Sequence, residues 1–230
     1  MENSIPVLYL GRPAGLALGF WLIGGRREPW HCYHYGVTSQ NPIRLPRDLT
    51  TVLLDRDGVL NQKMPEGRYV ERWEDFHVLP GVPEAIARLN QAGLRVIVVS
   101  NQRGIALGLY TAADVDAIHA GFQTLLNEHG AHVDGFFYCP HLVGQCNCRK
   151  PLPGLFEQAV EAFPAVTAAT SVMMGDSLVD MEFGRRLGIT SILIEGGTEQ
   201  PGATAKIARE TADLQFPSVA EAVDALLDGR

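Results

Sequence analysis

Thr51-Val-Leu-Leu-Asp55-Arg-Asp57-Gly-Val-Leu-Asn61 is the stretch whose reading decides the fold. Four apolar or β-branched residues run without polar alternation into two carboxylates, the pattern of a strand buried on both faces of a parallel sheet. Side chains alternate along a strand, so Asp55 and Asp57, two apart, project the same way if extended geometry persists past its end. Gly58 then frees the backbone to turn. In an open α/β sheet, that end is where ligands bind. Two acids aimed at one point repel each other unless a cation intervenes, and Mg²⁺ held by one or two carboxylates plus a substrate phosphate meets that need. An Asx turn after an ordinary strand is the competing reading.

Downstream, the rhythm is strand, helix, strand. Pro80-Gly-Val-Pro83 opens a helix through Asn90, with Val82, Ile86 and Leu89 on one stripe and Gly93 as its stop. Leu94 to Val99 is a second buried strand, leading into Ser100-Asn101-Gln102. Thr111 to Asp114 is a capping box for a helix carrying Val115, Ile118, Phe122 and Leu125. Strands over Val133–Tyr138, Ser171–Met174 and Thr190–Ile194 alternate with helices over Pro153–Phe163 and Leu178–Leu187, and a capped helix over Ser218–Leu227 closes the chain. The predicted fold is therefore a doubly wound, Rossmann-like α/β parallel sheet with helices on both faces. Polar residues gather where strands end, at Asp55, Ser100, Cys139 and Asp176, and that coincidence predicts a site.

Residues 1–50 carry no pattern that translates into function. Val7–Leu10 and Leu16–Ile23 read as possible strands, and Trp30, His31, Cys32, His34 and Tyr35 as an aromatic-rich surface strand or extension, with a second metal site at His31, Cys32 and His34 as the sharper alternative. Pro42 and Pro46 suggest a linker, so the division expected is 1–50 as an extension and 51–230 as the main domain.

The 230 residues suffice for one domain, and the net charge of −7 argues against a nucleic-acid partner, whose phosphates need Lys and Arg. The start lacks a basic n-region, and the apolar run Ala14–Gly25 is too short to span a bilayer, so a cytoplasmic protein is expected. Three of four cysteines fall within ten residues: Cys139-Pro-His141 and Cys146-Asn-Cys148. Three thiolates and an imidazole match tetrahedral Zn²⁺ with every position filled by protein, which is a structural ion. A disulfide is the alternative. Lys150 in Cys148-Arg149-Lys150-Pro151 could neutralise a transferring phosphoryl group, Ser100 and Asn101 could donate to its oxygens, and Asp176 with Asp180 offers further carboxylates or an N-cap.

Taken together, Asp-x-Asp-Gly-Val-Leu-Asn61, Ser100-Asn-Gln102, Arg149-Lys-Pro151 and Gly175-Asp-x-x-x-Asp180 resemble the haloacid dehalogenase (HAD) superfamily of phosphatases. The cysteine loop resembles the zinc-containing histidinol-phosphatase branch. Within that branch, Tyr69-Val70 with Glu74-Asp-Phe76, Ser100 to Ile105 with Gly108 to Thr111, and Asp134 to His141 look most like the heptose-bisphosphate phosphatases. The resemblance implies a Mg²⁺-dependent phosphatase acting on a small sugar phosphate, the 7-phosphate of a heptose 1,7-bisphosphate, with histidinol phosphate or another small sugar phosphate as the alternative. It implies Asp55 as nucleophile, Asp57 as acid and base, and Mg²⁺ on Asp55, Asp176 and the backbone carbonyl of Asp57. It places Ser100, Asn101 and Lys150 on the phosphoryl oxygens and Arg149 on a second anionic group. A monomer is expected, with no large cap domain, because Asn61 to Pro80 is long enough only for a flap. Two features depart from the heptose pattern: the four residues between His141 and Cys146, and Ser177 after Asp176, where Lys is frequent. A catalytically silent binding module on the same fold is the competing class, disfavoured by the intact acid pair. No Walker loop supports a nucleotide-binding reading.

Overall fold

A computed structural model describes residues 45–46, 48–196 and 202–228. The possible strands at Val7–Leu10 and Leu16–Ile23, and the His31, Cys32 and His34 cluster, lie outside the described residues. The sheet is six-stranded and wholly parallel, in the order β3-β2-β1-β4-β5-β6. Its strands are β1 (Thr51–Leu54), β2 (Arg95–Asn101), β3 (Gly135–Cys139), β4 (Ser171–Gly175), β5 (Thr190–Ile194) and β6 (Leu214–Phe216). The helices are α1 (Val82–Gln91), α2 (Ala112–Glu128), α3 (Gly154–Ala162), α4 (Leu178–Leu187), α5 (Ala203–Thr211) and α6 (Val219–Asp228).

The central strand behaves as its unbroken apolar run requires. Val52 and Leu54 face a core with α1, α2 and α6, whereas Leu53 faces the opposite core, where Leu155 and Phe156 of α3 and Phe183 of α4 pack. All three are fully buried, so a polar residue at any of them would leave a desolvated group in a dry layer. The predicted stripe of Val82, Ile86 and Leu89 on α1 is buried, as are Val115, Ile118 and Phe122 on α2. In place of Leu125, the next α2 residue in the core is Leu126, which continues the four-residue spacing from Phe122.

The expected doubly wound sheet is present, and two elements extend it. The sequence pattern ends its strands at β5, yet α5 and β6 follow, with β6 pairing Ile192 to Leu214 and Ile194 to Phe216. This last strand is three residues long and half-buried on the sheet edge, too short to show a period.

Strand order reverses direction between β1 and β4, the neighbours whose connections run to opposite sides. The crevice beyond their carboxyl ends is the place where such sheets bind ligands. Asp55 follows β1 there, and Asp176 follows β4. No cap domain covers it among the described residues: the tract between β1 and α1 contains one 3-10 turn, Trp73–Asp75. No described helix is long and apolar enough to cross a membrane.

Candidate active site

Asp55 lies one residue past β1, and its amide still donates to Met174 O across the sheet at 2.9 Å, which holds it level with the end of β4. The chain then tightens around Arg56, whose carbonyl accepts from the amides of Val59, Leu60 and Asn61. Gly58 has φ +93°, a left-handed conformation that glycine adopts without steric cost. This turn, instead of a simple extension of the strand, carries Asp57 into the cleft.

Lys150 is the electrostatic hub. Its Nζ lies 2.8 Å from Asp55 Oδ1 and 2.6 Å from Asp180 Oδ1, and donates to Val99 O at 2.7 Å. The side chain is 1% exposed, so these three acceptors replace its hydration. Asn101 fixes the backbone beneath it: Nδ2 donates to Lys150 O at 3.1 Å, and Oδ1 accepts from Lys150 N at 3.0 Å. Asn101, expected to hold phosphate, is engaged here as a clamp on the lysine loop. Against the cost of burial, Asp180 and Asp55 hold the Lys150 ammonium well above its usual range.

Asp55, Asp176 and Asp180 bring carboxylate oxygens within 4.8 Å of one another. Burial first, and then the adjacent Asp180, push the Asp55 carboxyl up to about 7 despite Lys150. An ionised Asp55 therefore calls for more positive charge than Lys150 supplies. Hard oxygen donors in this number are the donor set of Mg²⁺, so these residues fit that ion. Asp180 performs two tasks that the sequence presented as alternatives. Oδ2 accepts from Ser177 N at 3.2 Å and from its hydroxyl, capping α4, while Oδ1 holds Lys150. Gly175 makes this possible, since a Cβ there would lie 2.1 Å from Asp180 Cβ.

Asp57 has a separate set of partners. Arg56 grips it through Nε and Nη2 at 2.9–3.2 Å, Asn61 Nδ2 donates at 3.0 Å, and Gln102 Nε2 donates at 3.2 Å. Burial would raise the carboxyl, but the Arg56 guanidinium and these hydrogen bonds outweigh it and hold Asp57 below the usual carboxylate range. Gln102 also donates to Ser100 Oγ at 2.6 Å and accepts from Tyr110 at 2.8 Å. Two neighbouring acids are thus driven in opposite directions, Asp55 toward its protonated form and Asp57 toward its ionised form.

These residues line one cleft of about 310 Å³, at the small end for ligand pockets. Asp55, Asp57, Ser100, Asn101, Arg149 and Asp176 all reach it, and cationic Lys63, Arg68 and Arg103 stand around it. Lys150 lies just beneath, in contact with Asp55. Sequence reasoning missed Lys63, whose Nζ is 2.5 Å from Asp176 Oδ2, and Arg103, whose Nε donates to Tyr69 OH at 2.7 Å. Lysine in a polar loop gives no periodic signal. Arg56 was hidden inside the quoted motif because its neighbours drew the chemistry.

The second cluster stands beyond β3. Cys139 Sγ is 3.5 Å from Cys146 Sγ, Cys148 Sγ is 3.3 Å from Cys146 Sγ, and His141 Nδ1 is 3.7 Å from Cys139 and 3.4 Å from Cys148. A disulfide needs about 2.05 Å, and the three thiols are free. The edges instead approach those of a tetrahedron with metal–ligand bonds of about 2.0–2.3 Å, so the donors fit a closed metal site.

A HAD-hydrolase-like family model matches residues 147–222. A D-glycero-alpha-D-manno-heptose-1,7-bisphosphate 7-phosphatase of Mycobacterium tuberculosis is 37% identical over 175 residues, covering 74% of this chain and 87% of that protein. A D-glycero-beta-D-manno-heptose-1,7-bisphosphate 7-phosphatase of Pseudomonas aeruginosa is 39% identical over 147 residues, covering 64% and 81%. The crystal structure of a D,D-heptose 1,7-bisphosphate phosphatase from B. bronchiseptica, complexed with magnesium and phosphate, superposes with a TM-score of 0.69 at 31% identity, covering 79% of this chain and all of that one. With an acid pair at the switch point, a buried lysine beneath it and these relatives along most of its length, the chain belongs to the heptose-bisphosphate phosphatase family of HAD-like hydrolases.

Proposed function

We propose that the chain removes the 7-phosphate of a D-glycero-D-manno-heptose 1,7-bisphosphate in two steps through Asp55. The observation that carries this reading is the convergence of Asp55, Asp176, Asp180 and Lys150 at the end of β1 and β4, in a cleft bordered by further cations. Relatives named as 7-phosphatases support the substrate.

An Asp55 carboxylate oxygen attacks phosphorus in line, forming an aspartyl-phosphate as the bond to the sugar oxygen breaks. Asp57 gives its proton to that leaving oxygen, then takes one from the water that hydrolyses the acyl phosphate. The Arg56 grip favours the ionised Asp57 required in the second step. Proton delivery in the first step requires the carboxyl group to turn from Arg56 toward the sugar oxygen. Lys150 neutralises Asp55 and the phosphoryl oxygens, while Ser100 and Asn101 hold those oxygens beside it. Mg²⁺ held by Asp55, Asp176 and the backbone carbonyl of Asp57 would supply the charge that lets an anionic nucleophile meet an anionic phosphate. Arg149 receives the substrate's second phosphate.

Cys139, His141, Cys146 and Cys148 hold a structural Zn²⁺ in this reading, since four protein ligands leave no open position. Residues 51–230 form the phosphatase domain, residues 1–50 an extension, and the enzyme works as a cytoplasmic monomer without nucleic-acid or membrane partners.

Phosphate release from both anomers of the heptose bisphosphate, from the corresponding monophosphate and from histidinol phosphate, with and without Mg²⁺, tests the reading. Mg²⁺-dependent preference for a bisphosphate is expected. Preference for histidinol phosphate, to which the short His141–Cys146 spacing is closer, would overturn the substrate assignment.

A further inference from the structure

The carboxylate cluster contains two ammonium groups of very different standing. Lys150 is enclosed, with three acceptors and a backbone clamped by Asn101. Lys63 reaches in from the loop after β1, and its side chain remains 35% exposed, whereas the Asp176 carboxylate it binds is 1% exposed. Three acids and the enclosed Lys150 together leave a formal charge of about −2, which one divalent ion cancels; Lys63 cancels only half. Placing Lys63 and a divalent ion on Asp176 together would overshoot and set two cations against each other.

We propose that Lys63 is an exchangeable counter-ion of the metal site, neutralising Asp176 in the metal-free enzyme and yielding that carboxylate when Mg²⁺ binds. This rests on the reading of Asp55 and Asp176 as the Mg²⁺ ligands. The long unbranched stem permits the exchange, because the ammonium can swing outward along the cleft without disturbing the backbone. Arg149 and Lys150 cannot substitute in this role: the Arg149 guanidinium donates to His141 O and stands by the cysteine loop, and Lys150 is enclosed. The buried Asp176 charge is thereby never left uncompensated, since removing one partner from such a pair is costly. The same contact makes the ion compete for its own site, so Lys63 trades metal affinity for integrity of the metal-free fold.

Isothermal titration of Mg²⁺ into the full chain tests this with Lys63→Met, Lys63→Gln and Asp176→Asn. Both Lys63 variants should bind Mg²⁺ roughly three- to tenfold tighter than wild type. Their metal-free melting temperatures should fall, and the gap to wild type should narrow at saturating Mg²⁺. Unchanged or weaker Mg²⁺ binding in both, with binding still lost in Asp176→Asn, would overturn the role of Lys63 and leave the metal site standing. Wild-type Mg²⁺ affinity in Asp176→Asn would overturn both. Reductive methylation of the unaltered protein gives an answer independent of how the variants fold. Labelling of Lys63 should rise on addition of Mg²⁺, and identical labelling in both states would end the proposal.

Discussion

Two clusters of metal-ligating side chains stand at the carboxyl edge of one sheet, and they solve opposite problems. At the ends of β1 and β4, hard carboxylates crowd together with two ammonium groups, one enclosed and one half-exposed. Beyond β3, three soft thiols and an imidazole converge with no acid among them. The first cluster sets three carboxylates against two ammonium groups and so retains negative charge. The second has four donors at tetrahedral spacing and no place for a fifth. In the proposed function, chemistry belongs to the cluster whose charge is unbalanced, and shape-holding to the one whose four donors would complete a metal's coordination. The two communicate through short stretches of chain: Asn101 pairs with Cys139 across β2 and β3, and Cys148 is two residues from the buried lysine.

The contrast breaks most severely at Asp55. Asp55→Asn removes the proposed nucleophile and should lower the rate of phosphate release on the order of 10⁴-fold or more. Fold and metal content of the cysteine loop should be unchanged by circular dichroism and metal analysis. Substantial turnover by this variant would refute the division of labour between the clusters.

At the closed cluster the expected loss is structural. Cys148→Ser should abolish zinc retention and destabilise the protein by about 2–3 kcal/mol in denaturant unfolding. The aspartates should still bind Mg²⁺ in the folded fraction. If a zinc-selective chelator abolishes turnover while the fold persists, the cysteine cluster is catalytic and the contrast fails.

Arg149 lies on the boundary, between Cys148 and Lys150. Arg149→Ala should raise KM on the order of tenfold with kcat little changed, because a contact made equally in ground and transition states affects binding alone. Steady-state kinetics on the bisphosphate and on its monophosphate separates the two parameters. A loss confined to kcat would move Arg149 into the chemical step.

What could be read in the sequence follows the range of each interaction. Asp55 and Asp176 were legible because they follow the ends of buried strands, which announce themselves by unbroken apolar runs, whereas Asp57 reaches the cleft through the turn at Arg56 and not by the strand alternation expected of it. Cys139, His141, Cys146 and Cys148 were legible as a cluster because all four fall within ten residues, from the end of β3 into the loop that follows. Contacts across long stretches of chain left no trace. The clamp from Asn101 to Lys150 spans 49 residues, and Lys63 meets Asp176 across 113. Asp180 looked like a helix cap, and it is one, so its second oxygen on Lys150 was masked by the first. Edge strand β6 went unseen since Leu214-Gln-Phe216 is too short for any period.

The smallest effect expected concerns His119, which joins the two regions from α2. Its ring stacks on Phe136 of β3 at 4.4 Å and meets Tyr138 edge-on, while Arg56 and Asp57 act on it electrostatically. Burial first, and then the Arg56 charge, push the imidazole down to about 3, and its Nε2 has no hydrogen-bond partner among the described residues. In the unfolded chain the same ring takes a proton near its ordinary value of about 6.5. Between these values the unfolded state binds more protons, so the stabilising contribution is complete above about pH 6.5 and declines as pH falls toward 3. From pH 7.5 to 5.5, His119 should account for a loss of roughly 1 kcal/mol, read as the difference between wild type and His119→Gln in denaturant unfolding at each pH. Parallel pH dependences in the two proteins would mean that His119 titrates alike folded and unfolded. The stack on Phe136 would then be open to water, and the strand leading to the cysteine loop would not be sealed against the turn at Arg56.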